Sequence, residues 1–179
     1  MGTFAWFGPR APPLGSRDVP AGGLCLSAFL AVRDDQGRVL LGKYNAEDAK
    51  LEGLTGMDEE RRKRFSGGWT LPARHLRFGE SPETAARSIA DDLVRVRVEP
   101  RFVRYASEAY ESAVYPGTHH WDVNFLFEAQ VPRPTAQGLW PHGPPSWYRE
   151  LAFVDPSWLK PGDWARSHED VWAMYAAKK

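Results

Sequence analysis

The chain has 179 residues, 42% hydrophobic and 26% charged, and its 23 basic side chains balance its 23 acidic ones. That length and composition suit one sizeable core of ordinary soluble character, and a formal net charge of zero excludes a global field that would draw the protein to nucleic acid or to an anionic membrane. The single cysteine, Cys25, excludes an intramolecular disulfide and a multi-cysteine metal site, and no span reaches the ~20 apolar residues that a bilayer requires.

Residues 1–23 are rich in Gly and Pro and are expected to form an irregular arm, with Phe4, Trp6 and Phe7 as candidate anchors on the core. A single domain is expected over 24–179. Residues 24–32 are mostly apolar, Asp34-Asp35-Gln36-Gly37 supplies turn chemistry, and 38–44 are apolar again, which predicts a hairpin of central strands with Cys25 as a buried thiol. Between 45 and 67 the composition turns polar. There Asp58, Glu59 and Glu60 precede Arg61, Arg62, Lys63 and Arg64, an order that suits the dipole of a short solvated helix over 57–65.

Trp69-Thr70-Leu71-Pro72 predicts a short extended segment, because Pro72 keeps its predecessor out of the helical region. Residues 73–80 then form a loop. Ser81 offers an N-cap oxygen and Pro82 occupies the first helical position, so a helix is predicted from 81 to about 94. Strands follow over 96–106 and 121–131. In the second, Trp121, Val123, Phe125 and Phe127 alternate with polar residues, which predicts one core face. The Pro- and Gly-rich stretch 132–146 reads as a long loop. A last strand over 150–154 leads through Asp155-Pro156 to a closing helix that Ser167 caps and that ends near Ala176.

The segment Trp69-Thr70-Leu71-Pro72, followed by Gly79-Glu80-Ser81-Pro82-Glu83-Thr84-Ala85-Ala86-Arg87, resembles the Nudix hydrolase superfamily. In that family a strand ending Trp-x-Leu-Pro-Gly-Gly leads to a Gly-Glu pair and a helix written Arg-Glu-apolar-x-Glu-Glu-x-Gly. Glu150-Leu151-Ala152-Phe153-Val154-Asp155-Pro156-Ser157-Trp158-Leu159 is similar to the strand and short helix that close such domains, so the likeness spans about 24–159. It implies an α/β fold, a Nudix-type α/β/α sandwich with a mixed β-sheet. It also implies cleavage of nucleoside diphosphates linked to another group, with Mg²⁺ or Mn²⁺ held by helix glutamates.

Carried over residue by residue, the motif is degenerate. Glu80 matches the loop glutamate, but Ala73 and Arg74 stand for the two glycines, Ser88 for the arginine and Ile89 for the first metal glutamate. Asp92 matches the penultimate glutamate as a shorter acid, Leu93 replaces the last glutamate, and Arg95 replaces the closing glycine. At ~100° per residue, positions 89 and 93 lie one above the other with 92 at the margin of that face. Two aliphatic groups supply none of the oxygens that Mg²⁺ requires, and with Ala85, Ala86 and Ala90 they make a packing stripe instead.

The resemblance leaves Glu80 and Asp92 as catalytic candidates and Glu80, Asp91 and Asp92 as metal ligands. Arg74, with His75 and Arg77, is a candidate anion-binding loop, since a guanidinium can grip phosphate oxygens in place of a cation. Trp147 is a candidate platform for a nucleobase, Tyr148 borders the same loop, and Trp158, Trp164 and Trp172 are expected to pack the closing helix. His119-His120 with Asp122 offers only His120 and Asp122 on one strand face, and two ligands are too few for a metal site. Three functions stay open: a divergent Nudix-fold protein that binds a nucleotide or phosphorylated small molecule with little or no hydrolysis, an active hydrolase with a rearranged metal site, and an interaction module, for example a homodimer. A cytoplasmic location is the default expectation.

Overall fold

The computed structural model describes residues 24–57, 59–111, 119–131, 139–165 and 168–177. The expected arm and the Ser167 cap lie outside them. The central strand β1 (Leu24–Arg33) is apolar on both faces, and burial follows: Ala28, Leu30 and Val32 enter one core, Phe29 and Ala31 the other. The turn after it is built by Asp34, whose carboxylate accepts from the amides of Gln36 at 3.0 Å and Arg38 at 2.8 Å. Gly37 takes φ 77°, a conformation that costs glycine little.

Strand β2 (Val39–Tyr44) returns antiparallel, but the expected hairpin pairs only at its base, Arg33 with Val39. Beyond that point the two strands part and residues 69–75 run between them. Strand β3 (Ala73–His75) pairs with β1, Ala28 facing Arg74, while Thr70 exchanges backbone hydrogen bonds with Gly42 of β2 at 2.9 and 3.0 Å. On its other side β1 runs parallel to β5 (His119–Gln130) over its full length, from Leu24 beside Trp121 to Arg33 beside Gln130. With β4 (Arg101–Glu111) and β6 (Tyr148–Val154) the result is one six-stranded mixed sheet in the order β4-β5-β1-β2-β6, with β3 beside β1.

Helices cover both faces. The polar stretch after β2 folds as α1 (Lys50–Thr55), which the sequence did not reveal, and α2 (Glu59–Phe65). Gly56 at φ 78° ends α1, and the buried Arg62 of α2 ties the two together through Glu52 at 3.0 Å. Helix α3 (Pro82–Ser88) continues as a wider turn through Ile89–Leu93 and packs on the face that carries Leu30, Leu40 and Phe127. The closing helix α4 (His168–Ala176) sets Val171 and Tyr175 on the opposite face with Phe29, Leu41 and Leu126. The α/β/α sandwich is therefore as expected.

Three expectations change. Strand β4 begins at Arg101 instead of 96, because the Val96 amide is bonded to the Ala90 carbonyl at 2.8 Å and finishes the helix. Strand β5 buries both faces, since Leu126 points into the second core while Phe125 and Phe127 line the first. Trp158 is 80% exposed, whereas Trp164 shares the second core with Val171 and Tyr175 of α4, and Trp172 lies in α4 itself, stacked on Tyr175.

Candidate functional site

Ser81 caps α3 as its side chain predicts, accepting from the Thr84 amide at 3.2 Å with Pro82 in the first turn. The apolar stripe faces inward: Ala85, Ala86, Ile89 and Ala90 are fully buried and Leu93 is 1% exposed. At Ile89 the helix widens, so that the Val94 amide reaches the Ile89 carbonyl five residues back at 2.9 Å. The helix ends here, so its last carbonyls have no intrahelical amide to accept from, and two tryptophans take them. Trp147 donates its indole N–H to the Leu93 carbonyl and Trp140 donates to that of Val94, both at 2.8 Å. Arg95 then reverses the chain at φ 55°, the left-handed backbone of the glycine it replaces, with its guanidinium 4.7 Å above the Trp147 ring.

Trp147 is thus a buried clamp on the helix end, 4% exposed, and not a surface on which a base can stack. Tyr148 beside it is also buried, stacked on Tyr44 at 5.3 Å. Asp91 and Asp92 lie on the outer side of the helix, exposed, and the Asp92 carboxylate accepts from the Ser88 hydroxyl at 2.8 Å.

The loop before the helix is organised by Glu80. One carboxylate oxygen accepts from Arg74 Nη2 and the other from the Arg77 amide at 2.8 Å. Arg74 was expected in an exposed loop; it lies in β3 with its side chain 4% exposed, and its Nη1 donates to the His75 carbonyl at 2.9 Å. Burial alone would raise the Glu80 pKa. The Arg74 hydrogen bond, the Arg77 amide and the charge of both arginines outweigh burial and hold it below the ordinary 4.5. His75 is half-buried, Arg77 is exposed, and Phe78 stands 99% exposed between Arg77 and Glu80. Sequence reasoning passed over Phe78, although an aromatic residue in a Gly-ended polar loop was a signal.

No family model and no curated relative matches the sequence. Solved structures do. The chain superimposes on the MutT protein from Methanosarcina mazei Go1 with a TM-score of 0.57 at 13% identity, covering 89% of this chain and 99% of that one. The fold is that of the Nudix hydrolases. A Nudix hydrolase from M. smegmatis, RenU, aligns at TM-score 0.52 and 19% identity over 87% of this chain and 86% of its own. The Nudix domain of Shewanella oneidensis NrtR, solved with ADP ribose, aligns at 0.53 and 14% over 87% and 88%.

A Nudix fold implies Mg²⁺ or Mn²⁺ at the signature helix, and the residues here do not fit such an ion. Octahedral oxygen coordination needs several converging acids. Glu80 is committed to Arg74 and Arg77, Asp91 and Asp92 face outward, and the two remaining stations are aliphatic and buried. Among the described residues, the one group of three potential ligands whose donor atoms lie within 4.8 Å of one another is elsewhere: Cys25, His120 and Asp122. A cleft of about 740 Å³ also opens away from the Nudix helix, by the β1–β2 turn, where Arg33, Tyr175, Glu128 and Arg101 are joined by hydrogen bonds and an ion pair. No helix among the described residues is long and apolar enough to cross a membrane.

Proposed function

We propose that the chain is a ligand-binding Nudix-fold protein that takes a nucleotide or another phosphorylated small molecule and hydrolyses diphosphates weakly or not at all. The observation that carries this is the burial of Ile89, fully enclosed, and Leu93, 1% exposed, at the two stations where a metal-dependent relative places carboxylates. Metal-activated water and charge neutralisation, which diphosphate cleavage needs, lack two of their carboxylates at that turn, and Asp91 and Asp92 lie on its outer side.

Binding is supported by the loop. Arg77 and the half-buried His75 supply cationic or hydrogen-bonding groups for phosphate oxygens, and Phe78 offers an open ring face for a base. Arg74 has a structural task in this reading, since Glu80 neutralises it, and its buried Nε lacks a protein acceptor. The NrtR domain, with the same fold, was solved holding ADP ribose.

The test is thermal unfolding in EDTA with ADP-ribose and dinucleotides. A ligand at ~100 times its Kd adds about 2.7 kcal/mol, which for a chain of this size is a rise of roughly 5 to 10 °C. Arg77→Ala and Phe78→Ala should reduce the rise. No shift with any of these ligands overturns binding. Turnover in Mg²⁺ or Mn²⁺ that Asp92→Asn abolishes would instead establish a rearranged hydrolase.

A further inference from the structure

The parallel pairing of β1 and β5 creates a juxtaposition that neither strand announces. Cys25 lies directly beside Asp122, and His120, two residues before Asp122, presents its side chain to the same face. His120 Nε2 is 3.0 Å from Asp122 Oδ1, and one donor atom from each of the three residues lies within 4.8 Å of the other two. We propose that Cys25, His120 and Asp122 form a binding site for a zinc-type divalent transition-metal ion, separate from the Nudix helix.

The donor set decides the class of ion. A thiolate, an imidazole and one carboxylate favour a cation that accepts sulfur and nitrogen, whereas Mg²⁺ and Ca²⁺ prefer oxygen alone. In a tetrahedral zinc site the ligand atoms stand about 3.3 to 3.6 Å apart, so small side-chain rotations bring these three into place. Three protein donors leave a fourth position for water or a ligand. The scaffold is rigid, since two of the donors come from successive same-face positions of β5 and the third from the central strand.

Burial and charge agree with this. Cys25 is 8% and His120 7% exposed, while the Asp122 side chain is 22% exposed and leaves a way in. Glu108 faces Asp122 across the β4–β5 pair, which sets a second carboxylate on the same face of the sheet. Negative potential therefore gathers where the cation would sit. The ion would take the place now held by the His120–Asp122 hydrogen bond: the Cys25 thiol releases its proton to solvent, and His120 gives up the proton that Nε2 shares with Asp122, so that the neutral imidazole ligates through Nε2 with its one remaining proton on Nδ1.

Titration of the full chain with Co²⁺ after EDTA treatment and dialysis tests the site. One equivalent is expected to produce a near-ultraviolet thiolate-to-cobalt band and the intense visible bands of a four-coordinate ion, both bleached by Zn²⁺. Cys25→Ser should remove the thiolate band, and His120→Ala or Asp122→Asn should weaken binding at least tenfold. Far-ultraviolet dichroism verifies that each variant folds. If a variant does not fold, the wild type alone decides: Zn²⁺ should raise its melting temperature and Mg²⁺ should not. Absence of a thiolate band in folded wild type, a band of unchanged affinity in both His120→Ala and Asp122→Asn, weak octahedral binding only, or no Zn²⁺-specific stabilisation where that readout is used, overturns the proposal.

Discussion

Arg74 is a buried guanidinium, and Glu80 is the anion that makes its burial tolerable. Removing one partner of such a pair leaves the other charged and desolvated, so Glu80→Ala should destabilise the fold by about 3 kcal/mol in urea titration. Replacing both, as Arg74→Met with Glu80→Leu, should recover most of that loss. A Glu80 that served only as a metal ligand would show neither effect. Its pKa is depressed below 4.5 in the folded chain, so the stabilisation is complete above that value and disappears as pH falls through the folded pKa. The gap between wild type and Glu80→Gln should accordingly be constant from pH 7 to 5 and close in stronger acid. The motif identified Glu80 in the sequence. Its partner was placed in a loop, because a strand of three residues, Ala73–His75, is too short for alternation to be seen.

At the scale of the element, the Nudix helix was legible to its cap and its buried stripe, since Ser81, Pro82 and the spacing of Ile89 and Leu93 are local signals. Its widened end was not. The two indole donors that hold the Leu93 and Val94 carbonyls come from Trp147 and Trp140, about fifty positions downstream, and nothing in a local pattern connects them. Restoring the family's glutamates is therefore expected to fail. Ile89→Glu with Leu93→Glu places carboxylates in a filled apolar core, which should cost about 4 kcal/mol or more and confer no Mg²⁺-dependent turnover. A stable double variant that cleaved a diphosphate would show that this helix can present those positions to solvent.

For the whole molecule, strand content and the sandwich were readable from apolar runs, whereas the splayed β1–β2 pair and the neighbours of each strand were set by contacts far apart in sequence. The Cys25–His120–Asp122 group escaped for the same reason: two of its members share a strand and the third is its lateral neighbour. The closing segment shows how tightly the layers are joined. The Trp69 amide reaches the Asp163 carbonyl at 2.8 Å, the Ala165 amide reaches that of Trp69 at 2.9 Å, and the Leu71 amide reaches His168 Nδ1 at 2.9 Å. Gly68 permits this approach, because a Cβ there would stand 2.6 Å from the Trp164 carbonyl carbon. Gly68→Ala should lower stability by about 2 kcal/mol, read from the urea midpoint at unchanged slope.

The full-length parallel register between β1 and β5 also has a consequence for synthesis on the ribosome. Strand β1 leaves the exit tunnel long before its flank, which is complete only when residues near Gln130 have been made, and its ten-residue edge toward β5 stays open in the interval. Nascent chains stalled before that point should recruit chaperones or aggregate, and the finished chain should refold slowly for its size.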